Sequence, residues 1–344
     1  MAHVKATKCA FQLPPSASMR RNLDRRVERH TIVDVVEELM ENPAVSTTAL
    51  ATSLMRAAHT RLDPNPLIDD PWGDRLVPES MRDVFRRDAL ARMDDKARAQ
   101  AQISPDAVLD ESLRRSAAYP NVITRTRFAE DALQVAVAKG IRQYVLIGAG
   151  FDSFALRRPA YAADLEIFEI DFPATQNLKV ARIAGCALTL PASVHFIAAD
   201  LSQETVAAAL ARSSFRTDEL TFFSWLGVTM YLTKPANLQT LKSIASCAPR
   251  ASELVFTYLD ERVFNAESAS FGEMERRVAA LGEPFLSGFN PGTLALELES
   301  CGLQLLEDLT GSEVAARYGR LGENGLGQPG FSHIALARVN QQLG

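Results

Sequence analysis

The stretch "YVLIGAGFDSFALRRP" (Tyr144–Pro159) constrains this chain more than any other. Tyr144–Ile147 is a short apolar run, Gly148 and Gly150 flank Ala149, and an aspartate and an amphipathic run follow. This is the shape of a parallel β-strand turning tightly into a helix. Glycine just past the strand removes the side chain that would block a ligand from approaching the backbone. In an open α/β sheet such ligands sit beyond the carboxyl ends of the strands, where strand order reverses.

The rest of the chain must supply that sheet. The pattern predicts further strands at Leu165–Ile170, Val194–Ala199, Leu220–Trp225, Glu253–Leu259, Gln304–Leu309 and His333–Val339. Helix-length segments separate the first five, which implies crossover connections and a mostly parallel sheet. The last two are joined through the glycine-rich Gly311–Ser332 segment, which reads as a long hairpin connection at the sheet edge. The α/β part thus spans 140–344. Before it, 46–139 is helical in pattern, with a helix at Ser53–Leu62 and a proline-punctuated loop at Asp63–Gly73. Asp63, Asp69 and Asp70 in that loop are ordinary turn chemistry and lack metal-ligand spacing. Residues 1–45 read as an N-terminal extension with helical spacing over His30–Pro43. The arginines of Met19–Arg29 alternate with Asp24 and Glu28, which suits a solvated helix face better than a nucleic-acid patch.

With 47% hydrophobic and 23% charged residues the chain is globular in composition, and a net charge of −5 gives no steering toward nucleic acid or an anionic membrane. No apolar run approaches the ~18 residues of a membrane span. Cys9, Cys186, Cys247 and Cys301 are scattered and suit reduced thiols. The expectation is a cytoplasmic protein, with homo-oligomer formation left open.

The later strand ends narrow the ligand. Asp171 falls about twenty residues after the glycines, where a carboxylate accepts from both ribose hydroxyls. Asp200 ends the next strand and suits an adenine amino group, with Leu201 offering a backbone N–H and an apolar wall. Ser153 occupies the third position of the dinucleotide fingerprint, where a glycine or other small residue belongs in an NAD-dependent oxidoreductase. Two acidic strand tips without a basic phosphate clamp point to ribose and adenine without pyrophosphate, as in S-adenosylmethionine.

The segments Arg125–Leu133, Val145–Arg157, Glu169–Lys179, Ala198–Leu201 and Gly227–Thr233 occur in the order seen in the leucine carboxyl methyltransferase family, which the chain resembles from roughly Thr47 to Val339. The resemblance implies a class I methyltransferase, a Rossmann-like fold with a mostly parallel seven-stranded sheet under an N-terminal helical cap. It also implies that Arg125 binds the methionine carboxylate of S-adenosylmethionine, with Arg56 as a second basic contact from the cap and Gly148, Ala149, Gly150, Asp171, Asp200 and Leu201 around the cofactor. Leu226 departs from the family, which places a glutamate there facing the cofactor. A protein phosphatase substrate is therefore not carried over, and a small-molecule acceptor is expected. The alternatives are the NAD-dependent oxidoreductase and a non-catalytic cofactor-binding regulator, for which Leu226 is the best argument.

Methyl transfer needs orientation and a dry cavity. A carboxylate acceptor needs no base, whereas a phenol or alcohol benefits from one. The carboxylate is the favoured acceptor, because the family points that way and Leu226 removes a repelling charge. His59, one turn after Arg56, is the histidine placed to act as base, and Tyr231 and Tyr258 are placed to orient an acceptor. His195 and His333 each open a strand and are expected at the end of the sheet away from the ligand.

Overall fold

The computed structural model describes residues 45–93, 104–265, 269–280, 283–318, 326 and 331–340. The extension and its two helical segments lie outside the described residues. Among the described residues five helices come first: α1 (Thr47–Leu62), α2 (Gly73–Leu76), α3 (Glu79–Ala91), α4 (Pro105–Arg114) and α5 (Tyr119–Ala138). Then strands and helices alternate: β1 (Gln143–Ile147), α6 (Phe154–Arg157), β2 (Glu166–Asp171), α7 (Pro173–Gly185), β3 (Val194–Ala198), α8 (Val206–Leu210), β4 (Thr221–Trp225), α9 (Lys234–Cys247) and β5 (Glu253–Leu259). After α10 (Ala269–Ala280) and α11 (Leu294–Ser300) come β6 (Leu303–Thr310), α12 (Gly311–Arg317) and β7 (Ser332–Val339). Residues Ala44–Gly344 cluster as one compact unit, so the change at Lys139 is one of secondary structure within that unit.

The seven strands order as β3-β2-β1-β4-β5-β7-β6. Neighbours from β3 to β5 pair in parallel, and β7 runs antiparallel to both β5 and β6. The chain runs outward from β1 through β2 to β3 and then returns to place β4 on β1's other side. That reversal opens a crevice at the carboxyl ends of β1 and β4.

The strands are apolar on both faces because both are covered. Val145 and Ile147 point into one layer with Phe223, Trp225, Leu241 and Ile244. Tyr144 and Leu146 point into the other, with Phe128, Leu133, Phe222 and Val255, so α5 closes that face. Each such side chain contributes about 1.5–3 kcal/mol on full burial.

Two expectations need correction at the sheet edge. The segment after β6 does return antiparallel, but it contains α12, started by a capping box in which Thr310 and Glu313 satisfy each other's backbone N–H groups. The glycines that suggested an unbroken loop lie mostly beyond it. Because β7 is reversed, His333 pairs with Tyr258 near the carboxyl end of β5 and so lies at the ligand edge, not opposite it. His195 does sit at the start of its strand, bonded to Glu166 at 2.7 Å and stacked on Phe168.

A buried ion pair joins α7 to β2. Lys179 Nζ meets Glu169 Oε2 with both side chains almost fully excluded from solvent, and Gln176 Nε2 donates to the Glu169 carbonyl at 2.8 Å. Burial pushes the Glu169 carboxyl upward and Lys179 opposes it. Lys179→Met should therefore cost about 3–5 kcal/mol in denaturant unfolding, because it strands a buried carboxylate. Adding Glu169→Leu should restore much of that loss.

Candidate functional site

A cavity of about 510 Å³ opens at the carboxyl ends of β1, β2 and β4. Its floor is the turn after β1. Gly148 and Ala149 both donate N–H to the Ile170 carbonyl, at 2.9 and 3.1 Å. Gly148 has φ +67°, and a Cβ there would lie 2.5 Å from Val228 Cγ2, so packing as well as backbone conformation demands glycine. Asp171 at the tip of β2 accepts from Gly150 N through Oδ2 and from Phe172 N at 2.6 Å through Oδ1. Burial pushes its carboxyl above the usual range, and the two N–H groups oppose that. Its oxygens line the cavity with lone pairs to spare.

The N-terminal part of α1 forms a wall from above. Ser46 caps it, accepting from Ala49 N at 3.0 Å, and its own N–H bonds Thr175 on α7. Arg56 lines the cavity but is firmly held: Nε bonds Asp70 Oδ2 at 2.8 Å and Nη2 donates to the Phe151 carbonyl at 2.6 Å. Asp70 also accepts from Trp72 N and Gly73 N, both at 3.1 Å. Burial would raise the Asp70 carboxyl, and Arg56 with Arg157 holds it below the usual range instead.

Arg125 stands differently. Its guanidinium lies against Gly227, where a Cβ would come within 2.6 Å of both Nη1 and Nη2. Gly227, at φ +72°, is fixed by its N–H to Thr257 Oγ1 at 2.7 Å. Nη1 donates to Asn121 Oδ1 at 3.1 Å, and no carboxylate among the described residues is within ion-pair reach. Burial pulls its pKa down to about 10. Arg125 is thus a half-buried guanidinium lining the cavity, with donors to offer and no ion-pair partner among the described residues.

Arg56, Arg125, Gly148, Ala149, Gly150, Asp171, Leu226 and Tyr231 thus come together around one cavity. Asp200 and Leu201 do not line it. Asp200 accepts from Ser202 N and Oγ at 2.9 and 2.7 Å, closing its own turn beside the tip of β2. His59 is a correction as a base: it is fully buried away from the cavity and both ring nitrogens are taken. Nε2 accepts from Leu67 N at 2.9 Å, which leaves the proton on Nδ1, facing the Tyr119 hydroxyl at 2.9 Å. Arg127 ties α5 to the loop between α1 and α2 through the Leu67 carbonyl, and Tyr258 donates to Asp308 at 2.7 Å.

Three lining residues were missed in the sequence. Asp152 stands in the glycine turn and accepts from Phe154 N, a position the G-A-G-x-D spacing marks. Thr48 and Glu283 are hydrogen-bonded to each other across 235 residues of chain, and no local pattern announces that pair. Tyr231 stands with them, its hydroxyl pushed up to about 12 by burial and by the charge of Glu283.

A reversed seventh strand between the fifth and sixth, with a glycine turn after the first, defines a class I methyltransferase fold. The chain belongs to the leucine carboxyl methyltransferase family, whose model matches residues 49–245. It is 31% identical over 274 residues to "Putative S-adenosyl-L-methionine-dependent methyltransferase YktD" of Bacillus subtilis, covering 78% of this chain and 90% of that one. A Mycolicibacterium smegmatis protein named in the same terms is 31% identical over 239 residues, 69% of this chain and 75% of its own. In fold the chain is similar to a DUF574 family protein from Streptomyces avermitilis, with TM-score 0.50 and 17% identity over 74% of this chain and 95% of that one.

His59 makes a test of its own. Burial lowers its pKa, against the pull of Asp63, so the folded state keeps it neutral. Its contribution is present at neutral pH and is lost as pH falls below about 6.5, where the unfolded chain takes up the proton first. His59→Gln should cost about 1–3 kcal/mol at pH 7.5. It should also flatten the decline of unfolding free energy between pH 7 and 5, read from denaturation curves at each pH.

Proposed function

We propose that this chain binds S-adenosylmethionine in the cavity over β1, β2 and β4 and methylates an oxygen of a small-molecule acceptor. The observation that carries the reading is Arg125, a half-buried guanidinium that lines the cavity against the Gly227 turn with no ion-pair partner among the described residues. It suits the methionine carboxylate, which a planar fork of donors holds well. Asp171 would accept from the ribose hydroxyls, and the Gly148–Gly150 turn lets the ligand lie against the backbone. Leu226 contributes an apolar wall where the family carries an acid. Asp200 and Leu201, expected at the adenine, do not line the cavity.

When bound, this co-substrate supplies an electrophilic methyl carbon on a sulfonium. The chain's own part is orientation: Arg125 and Asp171 fix the two ends of the ligand, and α1 shields it from water. The family's description supports a carboxylate acceptor, which needs no base. Against it, the argument from lost charge at Leu226 is offset by Glu283, a carboxylate lining the same cavity. The oxidoreductase alternative is disfavoured by Ser153, which is buried and bonded to Arg157 instead of opening the turn.

Calorimetry with S-adenosylhomocysteine and with NAD tests this reading. Binding of the first is expected, weakened by about 1.5–3 kcal/mol in Arg125→Met and in Asp171→Asn. Tight NAD binding without S-adenosylhomocysteine binding would end the hypothesis, and unchanged affinity in a folded Arg125→Met variant would remove Arg125 from the ligand.

A further inference from the structure

The cavity continues into a smaller cleft of about 110 Å³ with a different character. Thr48, Thr52, Arg125, Gly227 and Tyr231 line both spaces, so they form the passage between them. Beyond it the cleft is walled by Val122, Met230, Tyr258, Val278, Phe285 and Phe331. An acceptor body occupying this cleft must be apolar, and its reactive atom must sit at the passage.

Glu283 is hydrogen-bonded into that passage. Thr48 donates to its Oε2, while Oε1 has no hydrogen-bond partner among the described residues. The position is built. Leu286 N donates to the Met230 carbonyl at 2.7 Å, Ser287 Oγ to the Leu232 carbonyl at 2.6 Å, and Asn237 Nδ2 to Ser287 Oγ at 3.1 Å. Phe285 packs on Tyr231 with ring centroids 5.7 Å apart. A Cβ at Gly288 would lie 2.3 Å from the Leu259 carbonyl oxygen, so the segment is pressed against the end of β5. These ties hold the loop that carries Glu283 to the turn after β4 and to β5.

The groups around Glu283 leave it one chemical part. Thr48 from α1 donates to it, and Tyr231 from the turn after β4 keeps its proton at neutral pH. Arg125 from α5 lines the same passage and is matched to the methionine carboxylate. Asp152 and Asp171 accept backbone N–H groups at the glycine turn, and Arg56 is bonded to Asp70. A second carboxylate brought to the passage would meet the charge of Glu283. A hydroxyl would find an acceptor.

Resting on the cofactor reading above, we propose that Glu283 is the general base of the reaction and that the acceptor is an apolar molecule bearing a hydroxyl, a phenol or alcohol. The acceptor's O–H bond breaks and the proton passes to Glu283. A lone pair on that oxygen forms the new O–CH₃ bond, and the electron pair of the broken C–S bond stays on sulfur, leaving a thioether. The product is an ether.

The matched probes 4-propylphenol and 4-propylbenzoate test this on protein loaded with S-adenosylhomocysteine. Wild type should bind the phenol at least about tenfold tighter, and Glu283→Gln should abolish that preference, because like-charge repulsion is lost while Thr48 keeps an acceptor. With S-adenosylmethionine, Glu283→Gln should lower the rate on the phenol about 100-fold or more at pH 7, with S-adenosylhomocysteine affinity unchanged. The variant's rate should then climb about tenfold per pH unit toward the phenol's own pKa near 10, while wild type stays flat from pH 7 to 9. A packing role for Glu283 would not produce that pH signature. Wild type that binds the benzoate as well as the phenol, binds neither probe, or yields a base-labile ester overturns the proposal. Because S-adenosylhomocysteine binding is read in the same titration, the cofactor reading stands or falls separately.

Discussion

The cavity depends on one buried guanidinium. Arg56 joins α1 to Asp70 in the loop before α2 and to the Phe151 carbonyl in the turn after β1, so three segments distant in sequence meet at one side chain. Asp70 in turn organises the backbone N–H groups of Trp72 and Gly73. Removing either charge would leave the other uncompensated in a buried site, so a neutral replacement at either position should loosen the wall. Arg56 was read as a second basic contact for the ligand. Its hydrogen bonds assign it first to holding the wall that faces the ligand.

Two arginines that line one cavity thus have opposite situations, and the difference is in their partners. Arg56 has a carboxylate and a carbonyl. Arg125 has one amide oxygen and the backbone of Gly227. The charge of Arg56 adds to the burial that pulls the Arg125 pKa down. Glu283 supplies the opposite sign where the cavity narrows. The cavity therefore carries both signs, with the donor fork of Arg125 on α5 and the acceptor oxygens of Asp171 and Glu283 on other segments.

What the sequence disclosed follows from the range of the physics involved. Strands β1 to β5, the glycine turn and Asp171 are local: each depends on periodicity or on one residue beside one turn, and the structure has them where the pattern put them. The reading failed where an outcome depended on direction or distance. His333 was misplaced because the reversal of β7 is a property of the whole sheet. His59 shares a helix face with Arg56 as the spacing implies, yet Leu67 and Tyr119 claim its nitrogens. The helix α12, started by the Thr310–Glu313 capping box, is only seven residues long and too short for its periodicity to stand out beside the glycines that follow. Glu283 had no signal at all, because its partner Thr48 belongs to the first described helix.

The insertion of β7 between β5 and β6 divides the molecule in time as well as in space. Everything that shapes the floor under Gly148 and Asp171 is complete once the chain has passed β4. The free edge of β5 then waits, with its N–H and C=O groups unpaired, until the ribosome has delivered residues 332–339. Phe331, which walls the apolar cleft, arrives only with that strand. A nascent chain would therefore own the glycine turn and Asp171 well before the apolar cleft is closed. Its slowest and most aggregation-exposed stage would be the one in which that cleft still lacks its last wall.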